Sequence, residues 1–163
     1  MISAIDTNVL LDILLPDAIH VDASKKLMDG AYEEGGLIIC EVVYSELAGH
    51  FGRGDDLDTF LSHTGIRLVP SDRISLHAAA VAWQNYTTRR DLRLQCASCG
   101  AFQNAYCNRC GEGILSQQHI IPDFIIGAHA AIHADRLLTR DRGFYRTYFP
   151  GLILLEWPWG WEA

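Results

Sequence analysis

The chain has 163 residues, of which 49% are hydrophobic and 20% charged, and its formal net charge is −7. This length predicts a single domain over 1–163 that buries ~70% of its unfolded surface, and the apolar fraction excludes a disordered chain. No apolar run approaches the ~18 residues of a membrane-spanning helix, and the apolar start has no basic leader before it. We therefore expect a soluble, cytoplasmic protein without a membrane partner.

Short apolar runs alternate with longer helical patterns along the chain. One helix is predicted over about 72–93, and another opens at Pro122. This alternation is typical of an α/β fold, and we expect a three-layer α/β/α sandwich around a central, mostly parallel sheet. The predicted strands are 2–5, 37–40, 66–69, 137–139 and 152–155.

Four acidic residues, far apart in the chain, sit where a predicted strand ends or a helix begins: Asp6, Glu46, Asp123 and Asp141. Ligands of open α/β sheets bind at the carboxyl ends of the strands, so these side chains could converge there. Each acid taken alone is more often a helix cap or a surface charge. Clustered carboxylates raise one another's pKa values unless a divalent cation neutralises them. Convergence would therefore predict a metal site for phosphate chemistry.

The cysteines form a second pattern. Cys96-Ala97-Ser98-Cys99-Gly100 and Cys107-Asn108-Arg109-Cys110-Gly111 are two Cys-x-x-Cys-Gly motifs separated by seven residues. Four thiolates from two turns complete a tetrahedral zinc site, and four protein ligands make such a site structural and not catalytic. We therefore expect Zn²⁺ in a small zinc-ribbon insertion over 94–114. A redox pair and disulfides are the weaker interpretations.

The charge is unevenly distributed. Up to Asp72 there are 13 acids and 4 bases, which gives −9, whereas from Arg73 onward 7 acids and 9 bases give +2. Two groups of arginines account for this difference. They are either ordinary surface and helix-end residues or a basic lip that would suit RNA. The groups are Arg89, Arg90 and Arg93, and Arg136, Arg140, Arg142 and Arg146.

Four segments carry a resemblance to a known family. Ile5-Asp6-Thr7-Asn8, Ser45-Glu46-Leu47, Ile121-Pro122-Asp123-Phe124 and Leu138-Thr139-Arg140-Asp141-Arg142-Gly143-Phe144-Tyr145 occur in the order of PIN-domain motifs. More narrowly, the chain resembles the VapC-type toxins of toxin-antitoxin pairs. The resemblance spans nearly the whole chain, and the two late segments are its specific part.

The resemblance implies an endoribonuclease that depends on Mg²⁺ or Mn²⁺. It implies an acidic quartet of Asp6, Glu46, Asp123 and Asp141, in which Asp6, Asp123 and Asp141 would bind the ion and Glu46 would bind it through water or orient the attacking water. Asn8 and Thr139 would hold the site by hydrogen bonds, and Arg140 or Arg142 would meet substrate phosphate. An RNA substrate and an antitoxin protein are the implied partners.

Two other functions are compatible with parts of the sequence. A non-catalytic PIN-fold scaffold for RNA binding or processing would use the zinc segment for contact, although it has no need of four acids near phosphate. An aspartyl-phosphate phosphatase needs a second Asp where the chain has Asn8. The tail with Trp157, Trp159 and Trp161 could cover the core, complete a homodimer or bind a partner.

Overall fold

The computed structural model describes residues 1–15, 18–89, 93–95, 101–114 and 121–155. Five parallel strands form a sheet with the spatial order β3-β2-β1-β8-β9, and four shorter strands form two antiparallel hairpins, β4-β5 and β6-β7. In chain order the strands are β1 (Ile2–Ile5), β2 (Gly36–Ile39), β3 (Ile66–Leu68), β4 (Leu94–Gln95), β5 (Phe102–Gln103), β6 (Ala105–Tyr106), β7 (Gly113–Ile114), β8 (Arg136–Leu138) and β9 (Leu154–Leu155).

The central parallel sheet that the sequence predicts is confirmed. Each predicted strand is present: β1 has the predicted ends, the others have ends shifted by one or two residues, and β9 is shorter than predicted. Strands of a parallel sheet are covered on both faces and so consist of nearly continuous apolar residues. Ala4 and Ile5 of β1 pair with Leu137 and Leu138 of β8, and each of these side chains is almost fully buried.

Seven helices connect and cover the strands in the described part of the chain. Crossovers between parallel strands are right-handed, so the path from β1 to β3 puts its helices on one face and the return to β8 puts its helices on the other. The helices are α1 (Thr7–Leu14), α2 (Val21–Glu34), α3 (Glu41–Ala48), α4 (Gly54–Thr64), α5 (Arg73–Arg89), α6 (Ile121–His133) and α7 (Arg142–Tyr148). None of the described helices is long and apolar enough to cross a membrane.

The strand order contains a switch point beside β1. The chain moves outward from β1 through β2 to β3 and then returns to β8 on the other side of β1. At such a point the connections leave in opposite directions, and a crevice opens at the carboxyl ends of the two strands. Asp6 follows β1, and its backbone N–H donates to the Leu138 carbonyl at 2.9 Å. The polar residues after β1 and β8 are therefore neighbours.

Helices α5 and α6 pack against each other in opposite directions. At one end, the Ser75 hydroxyl lies 3.0 Å from His133 Nε2, which joins the start of α5 to the end of α6. At the other end, the rings of Tyr86 and Phe124 lie 5.7 Å apart, which joins the end of α5 to the start of α6. The hairpins lie between these helices in the chain, so the insertion leaves and rejoins the domain at the end that carries Asp123.

Close packing of α6 depends on the absence of a side chain at Gly127. A Cβ atom at this position would overlap the ring of Phe149, which is only 9% exposed. Gly127→Ala should therefore lower the free energy of unfolding by about 1–3 kcal/mol in urea denaturation, because the buried ring must move. Gly30→Ala is the matched control: nothing lies within 4 Å of a Cβ there, and the substitution should stabilise α2 by up to ~1 kcal/mol. Equal effects of the two substitutions would contradict this packing.

Candidate active site

Asp6 is held in position by two side-chain donors. The hydroxyl of Thr139 donates to Asp6 Oδ2 at 2.6 Å, and the amide of Asn8 donates to the same oxygen at 2.7 Å. Asp6 is 5% exposed although it follows the last residue of β1. A buried carboxylate needs such hydrogen bonds because it has lost most of its water. The bonds fix the side chain at the edge of the sheet.

Thr139 joins the two loops that leave the switch point. It is fully buried, and its hydroxyl oxygen accepts hydrogen bonds from the Asp141 backbone N–H at 3.0 Å and the Asn8 amide at 3.3 Å. Asn8 in turn accepts from the Arg140 backbone N–H at 3.2 Å. The loop after β1 and the loop after β8 are therefore parts of one hydrogen-bonded unit.

The other three acids come from different elements. Asp141 caps α7 by accepting from the Phe144 backbone N–H at 3.1 Å. Glu46 lies on α3 and accepts a hydrogen bond from the Thr7 hydroxyl, and Asp123 lies in the first turn of α6. All four acids line one open cleft of about 520 Å³. Its lining is Asp6, Thr7, Asn8, Leu11, Glu46, His50, Asp123, Arg140 and Asp141.

The acids in this cleft repel one another. Burial raises the pKa of Asp6 to about 6, the hydrogen bond from Thr139 opposes that rise, and the charges of Asp123 and Glu46 add to it. Burial also raises the pKa of Asp123, with further contributions from Glu46 and Asp141. The fold thus gathers carboxylates whose burial and mutual repulsion both raise their pKa values.

The donor set fits a hard divalent cation. Carboxylate oxygens are the ligands that Mg²⁺ and Mn²⁺ prefer, and a cation would offset the burial and the repulsion that raise the pKa values of Asp6 and Asp123. Across the described ranges, no three His, Cys, Asp or Glu side chains already stand as a complete metal-binding group. The acids converge on one cleft without forming a finished coordination shell.

The predicted arginines have different environments. Arg140 lines the cleft, and its Nε lies 3.2 Å from Oδ2 of Asp12. The side chain of Arg142 lies outside the described part of the structure. Arg136 is buried at the amino end of β8, where it contacts Ser3 and Glu34 at 2.8 and 2.7 Å. Of the two interpretations that the sequence left open, Arg136 is therefore a structural residue and not part of a basic lip around Asp141, because the length of β8 separates the two positions.

Sequence reasoning missed several residues around the cleft. Asp12 is 4% exposed, and it accepts a hydrogen bond from the Ser24 hydroxyl at 2.7 Å. This bond fixes the carboxylate that forms the ion pair with Arg140. The sequence did contain a signal that Asp12 is buried, because it is a lone acid among apolar residues, namely Val9, Leu10, Ile13 and Leu14. Tyr145 is 1% exposed, and its buried hydroxyl faces Asp6. Burial and then the charges of Asp6, Asp123 and Asp141 raise its pKa.

The second cysteine motif lies in the turn of the β6-β7 hairpin. The Cys107 backbone N–H donates to the Glu112 carbonyl at 2.8 Å, and the Gly111 N–H donates to the Cys107 carbonyl at 2.8 Å. Gly111 has a φ of +78°, a conformation that suits glycine. Hydrogen bonds from the backbones of Arg109 and Cys110 lower the pKa of the Cys107 thiol.

The cysteine predictions are only partly covered by the structure. Cys96 and Cys99 lie outside the described residues, so the predicted four-cysteine site stays a prediction. The described cysteines, Cys40, Cys107 and Cys110, form no disulfide. Cys40 is 1% exposed, as expected of a thiol at the end of a buried strand.

Comparison with protein families identifies the class of this domain. Residues 4–95 match the model of the PIN domain, and this match covers more than half of the 163-residue chain. The chain therefore belongs to the PIN domain family. A sequence search of curated proteins found no match.

Solved structures with the same fold include three from bacterial VapBC or toxin-antitoxin complexes. A chain of VapBC2 from Rickettsia felis, bound to a promoter DNA fragment, is 16% identical, with a TM-score of 0.59 and coverage of 96% of this chain and 99% of that one. A chain of VapBC-1 from nontypeable Haemophilus influenzae is 13% identical, with a TM-score of 0.62 and coverage of 96% of this chain and 98% of that one. A chain of a toxin-antitoxin complex from Klebsiella pneumoniae is 18% identical, with a TM-score of 0.56 and coverage of 94% of this chain and 96% of that one. At these identities the likeness is one of fold.

The repulsion in the cleft predicts a metal-dependent gain in stability. Millimolar Mn²⁺ or Mg²⁺ should raise the Tm of the wild-type protein, because a ligand that binds only the folded state stabilises it. Asp6→Asn should leave the metal-free Tm unchanged or higher, since it removes a buried charge, and should reduce the metal-induced rise. Differential scanning fluorimetry measures both values.

Asp29→Asn is the matched control, because Asp29 is an exposed acid on α2 that does not line the cleft. It should keep the full metal-induced rise in Tm. An equal rise in the wild-type protein and both variants would place the metal outside the cleft.

Proposed function

We propose that this protein is a metal-dependent endoribonuclease and the toxin of a toxin-antitoxin pair. The observation that supports this most strongly is the convergence of Asp6, Glu46, Asp123 and Asp141 on one cleft at the switch point of the sheet. Membership of the PIN domain family and the fold shared with VapBC structures agree with it.

The residues divide between binding the cation and holding its ligands. Asp6, Asp123 and Asp141 would hold Mg²⁺ or Mn²⁺, and Thr139 and Asn8 keep Asp6 oriented through their hydrogen bonds. When bound, the cation would supply charge neutralisation and Lewis acidity for phosphodiester hydrolysis.

Glu46 is the acid best suited to orient the attacking water. The Glu46 side chain is exposed, and the hydrogen bond that it accepts from the Thr7 hydroxyl holds it at the edge of the cleft. Arg140 would meet a substrate phosphate, while its contact with buried Asp12 holds the guanidinium beside the acids. Arg142 is proposed for the same role from its sequence position alone.

An antitoxin protein is the proposed partner. The structures with the same fold are described as complexes of VapB with VapC or as toxin-antitoxin complexes. An antitoxin could silence the enzyme by covering the open cleft, where a cationic side chain would neutralise the same acids as the metal does.

Cleavage of RNA tests the proposed activity. Purified protein should cut a mixed RNA pool with Mg²⁺ or Mn²⁺, and both EDTA and Asp6→Asn should abolish cutting. Asp123→Asn should reduce kcat by at least about tenfold, because a lost ligand weakens transition-state stabilisation by more than ~1.4 kcal/mol.

Asp29→Asn should cut RNA like the wild-type protein. If metal-loaded, partner-free wild-type protein binds RNA but never cuts it, the protein is the non-catalytic scaffold that the sequence left open.

We also propose a structural zinc site in the insertion, which the register of the hairpins supports. Gln95 pairs with Phe102, and Tyr106 pairs with Gly113. Each pair encloses six residues with the pattern Cys-x-x-Cys-Gly-x. Two hairpins with the same register and the same motif offer two pairs of thiolates, which is the ligand set of a Cys₄ zinc site.

Elemental analysis tests this site. The purified protein should contain one zinc ion per chain, and Cys107→Ser or Cys110→Ser should lower that content to well below half, because three ligands hold zinc less tightly. Cys40→Ala is the control, since Cys40 is buried in the core and should not affect zinc content. A fully folded wild-type protein without zinc would overturn this part of the proposal.

A further inference from the structure

Arg140 brings a positive charge into the acidic cleft. Among the described residues that line this cleft, it is the side chain with a permanent positive charge. Its backbone N–H donates to Asn8 Oδ1 at 3.2 Å, and the Asn8 amide donates to Asp6 Oδ2 at 2.7 Å. Hydrogen bonds through Asn8 therefore fix the backbone of Arg140 close to the carboxylate of Asp6.

The guanidinium nevertheless pairs with a carboxylate outside the cleft lining. Arg140 Nε lies 3.2 Å from Oδ2 of Asp12, which belongs to α1. The Asp12 side chain is 4% exposed, and the fully buried Ser24 of α2 donates its hydroxyl to the same oxygen at 2.7 Å. The ion pair that the described structure gives Arg140 is therefore with this buried acid, although four other acids share its cleft.

Two sets of carboxylates compete for this guanidinium. The four acids of the cleft concentrate negative charge, and an arginine pairs with a carboxylate through two parallel hydrogen bonds. Asp12 competes successfully because it is buried, and removal of its partner would leave an uncompensated charge in the interior. Glu46 and Asp141 are exposed and keep their contact with water, so they lose less without a partner.

We propose that Asp12 is a positioning residue, which holds the Arg140 guanidinium away from the cleft acids and so leaves these acids free to bind a cation. The inference rests on the proposed metal-dependent function, because that function requires free carboxylates. A guanidinium seated on the acids would neutralise the same charges as the cation, so the two would exclude each other. Arginine carries five N–H donors, so the pair with Asp12 leaves donors for an anionic group of the substrate.

A crystal structure of the metal-free Asp12→Asn variant locates the guanidinium directly. The substitution keeps the shape of the buried side chain and removes its charge, so position 12 no longer competes for the guanidinium. We expect the Arg140 guanidinium to turn into the cleft and to lie within ~4 Å of a carboxylate of the four acids. A guanidinium that remains beside position 12, or that points into solvent, refutes the proposal.

Manganese binding gives a second readout, which needs no RNA. Addition of Mn²⁺, followed by the EPR signal of the free ion, should give a Kd about tenfold higher for Asp12→Asn than for the wild-type protein. This factor corresponds to a guanidinium that occupies the acids about nine-tenths of the time, because the apparent Kd rises as the binding-competent fraction falls. An unchanged Kd refutes the proposal.

Ser24→Ala covers the case in which Asp12→Asn does not fold. It removes the hydrogen bond that fixes the Asp12 carboxylate and keeps the charge of Asp12. The Mn²⁺ Kd should rise in the same direction by a smaller factor, and in that case an unchanged Kd refutes the proposal in the same way.

Arg140→Gln separates competition by the guanidinium from a loss of structure. In the Asp12→Asn background it removes the competitor, so the Mn²⁺ Kd should return to that of Arg140→Gln alone. If the double variant binds Mn²⁺ as weakly as Asp12→Asn, Asp12 acts through the packing of α1 and the proposal is wrong. Asp29→Asn is the matched control, since it removes one exposed acid of α2 and should leave the Kd unchanged.

The metal-free crystal structure and RNA cleavage distinguish failure of this inference from failure of the proposed function. If the guanidinium of the Asp12→Asn variant moves onto the acids but the wild-type protein cuts no RNA, the nuclease proposal fails and positioning by Asp12 stands. If the wild-type protein cuts RNA and the guanidinium of the variant keeps its place, the nuclease proposal stands and positioning by Asp12 is refuted.

Discussion

The burial of a carboxylate beside other carboxylates is the physical constraint on which the site at the switch point depends. Asp6 is nearly buried, and the nearby charges of Asp123 and Glu46 raise a pKa that burial has already raised. Such a site destabilises the isolated fold, and its cost must be offset by packing elsewhere. The apolar strands β1 and β8 provide that packing directly behind the acids, where Ile5 and Leu138 are almost fully buried.

The hydrogen bonds around Thr139 hold the acids in fixed positions despite their repulsion. Without them, the acids could turn toward water and separate. The hydroxyl of Thr139 contacts Asp6, Asn8 and Asp141, so one buried side chain sets the positions of groups from both sides of the switch point. The ion pair of Arg140 with Asp12 extends the same arrangement toward the rim. A cation that entered the cleft would meet the carboxylate of Asp6 already oriented, which would reduce the entropy lost on binding.

Local sequence patterns were sufficient for the sheet and for the placement of Asp6 and Asp141 at one edge of it. Parallel strands need continuous apolar runs, and acids that directly follow such runs must lie at one edge of the sheet, so Asp6 and Asp141 could be placed without a structure. Contacts between side chains that are far apart in the sequence could not be predicted in this way. The lone acid Asp12 had a local signal for burial, but its partner Arg140 had none, and neither did the hydrogen bond from Thr7 to Glu46. The role of Arg136 stayed open for the same reason, because its position near Asp141 in sequence does not tell which end of a strand it occupies.

Anomalous diffraction from a crystal soaked in Mn²⁺ would examine the acidic cleft directly. We expect a manganese peak in the cleft, within coordination distance of carboxylate oxygens of Asp6 and of Asp123 or Asp141. Such a peak would establish that the carboxylates gathered at the switch point are metal ligands. A cleft without a peak, in a crystal where manganese binds elsewhere on the protein, would contradict a metal-dependent site.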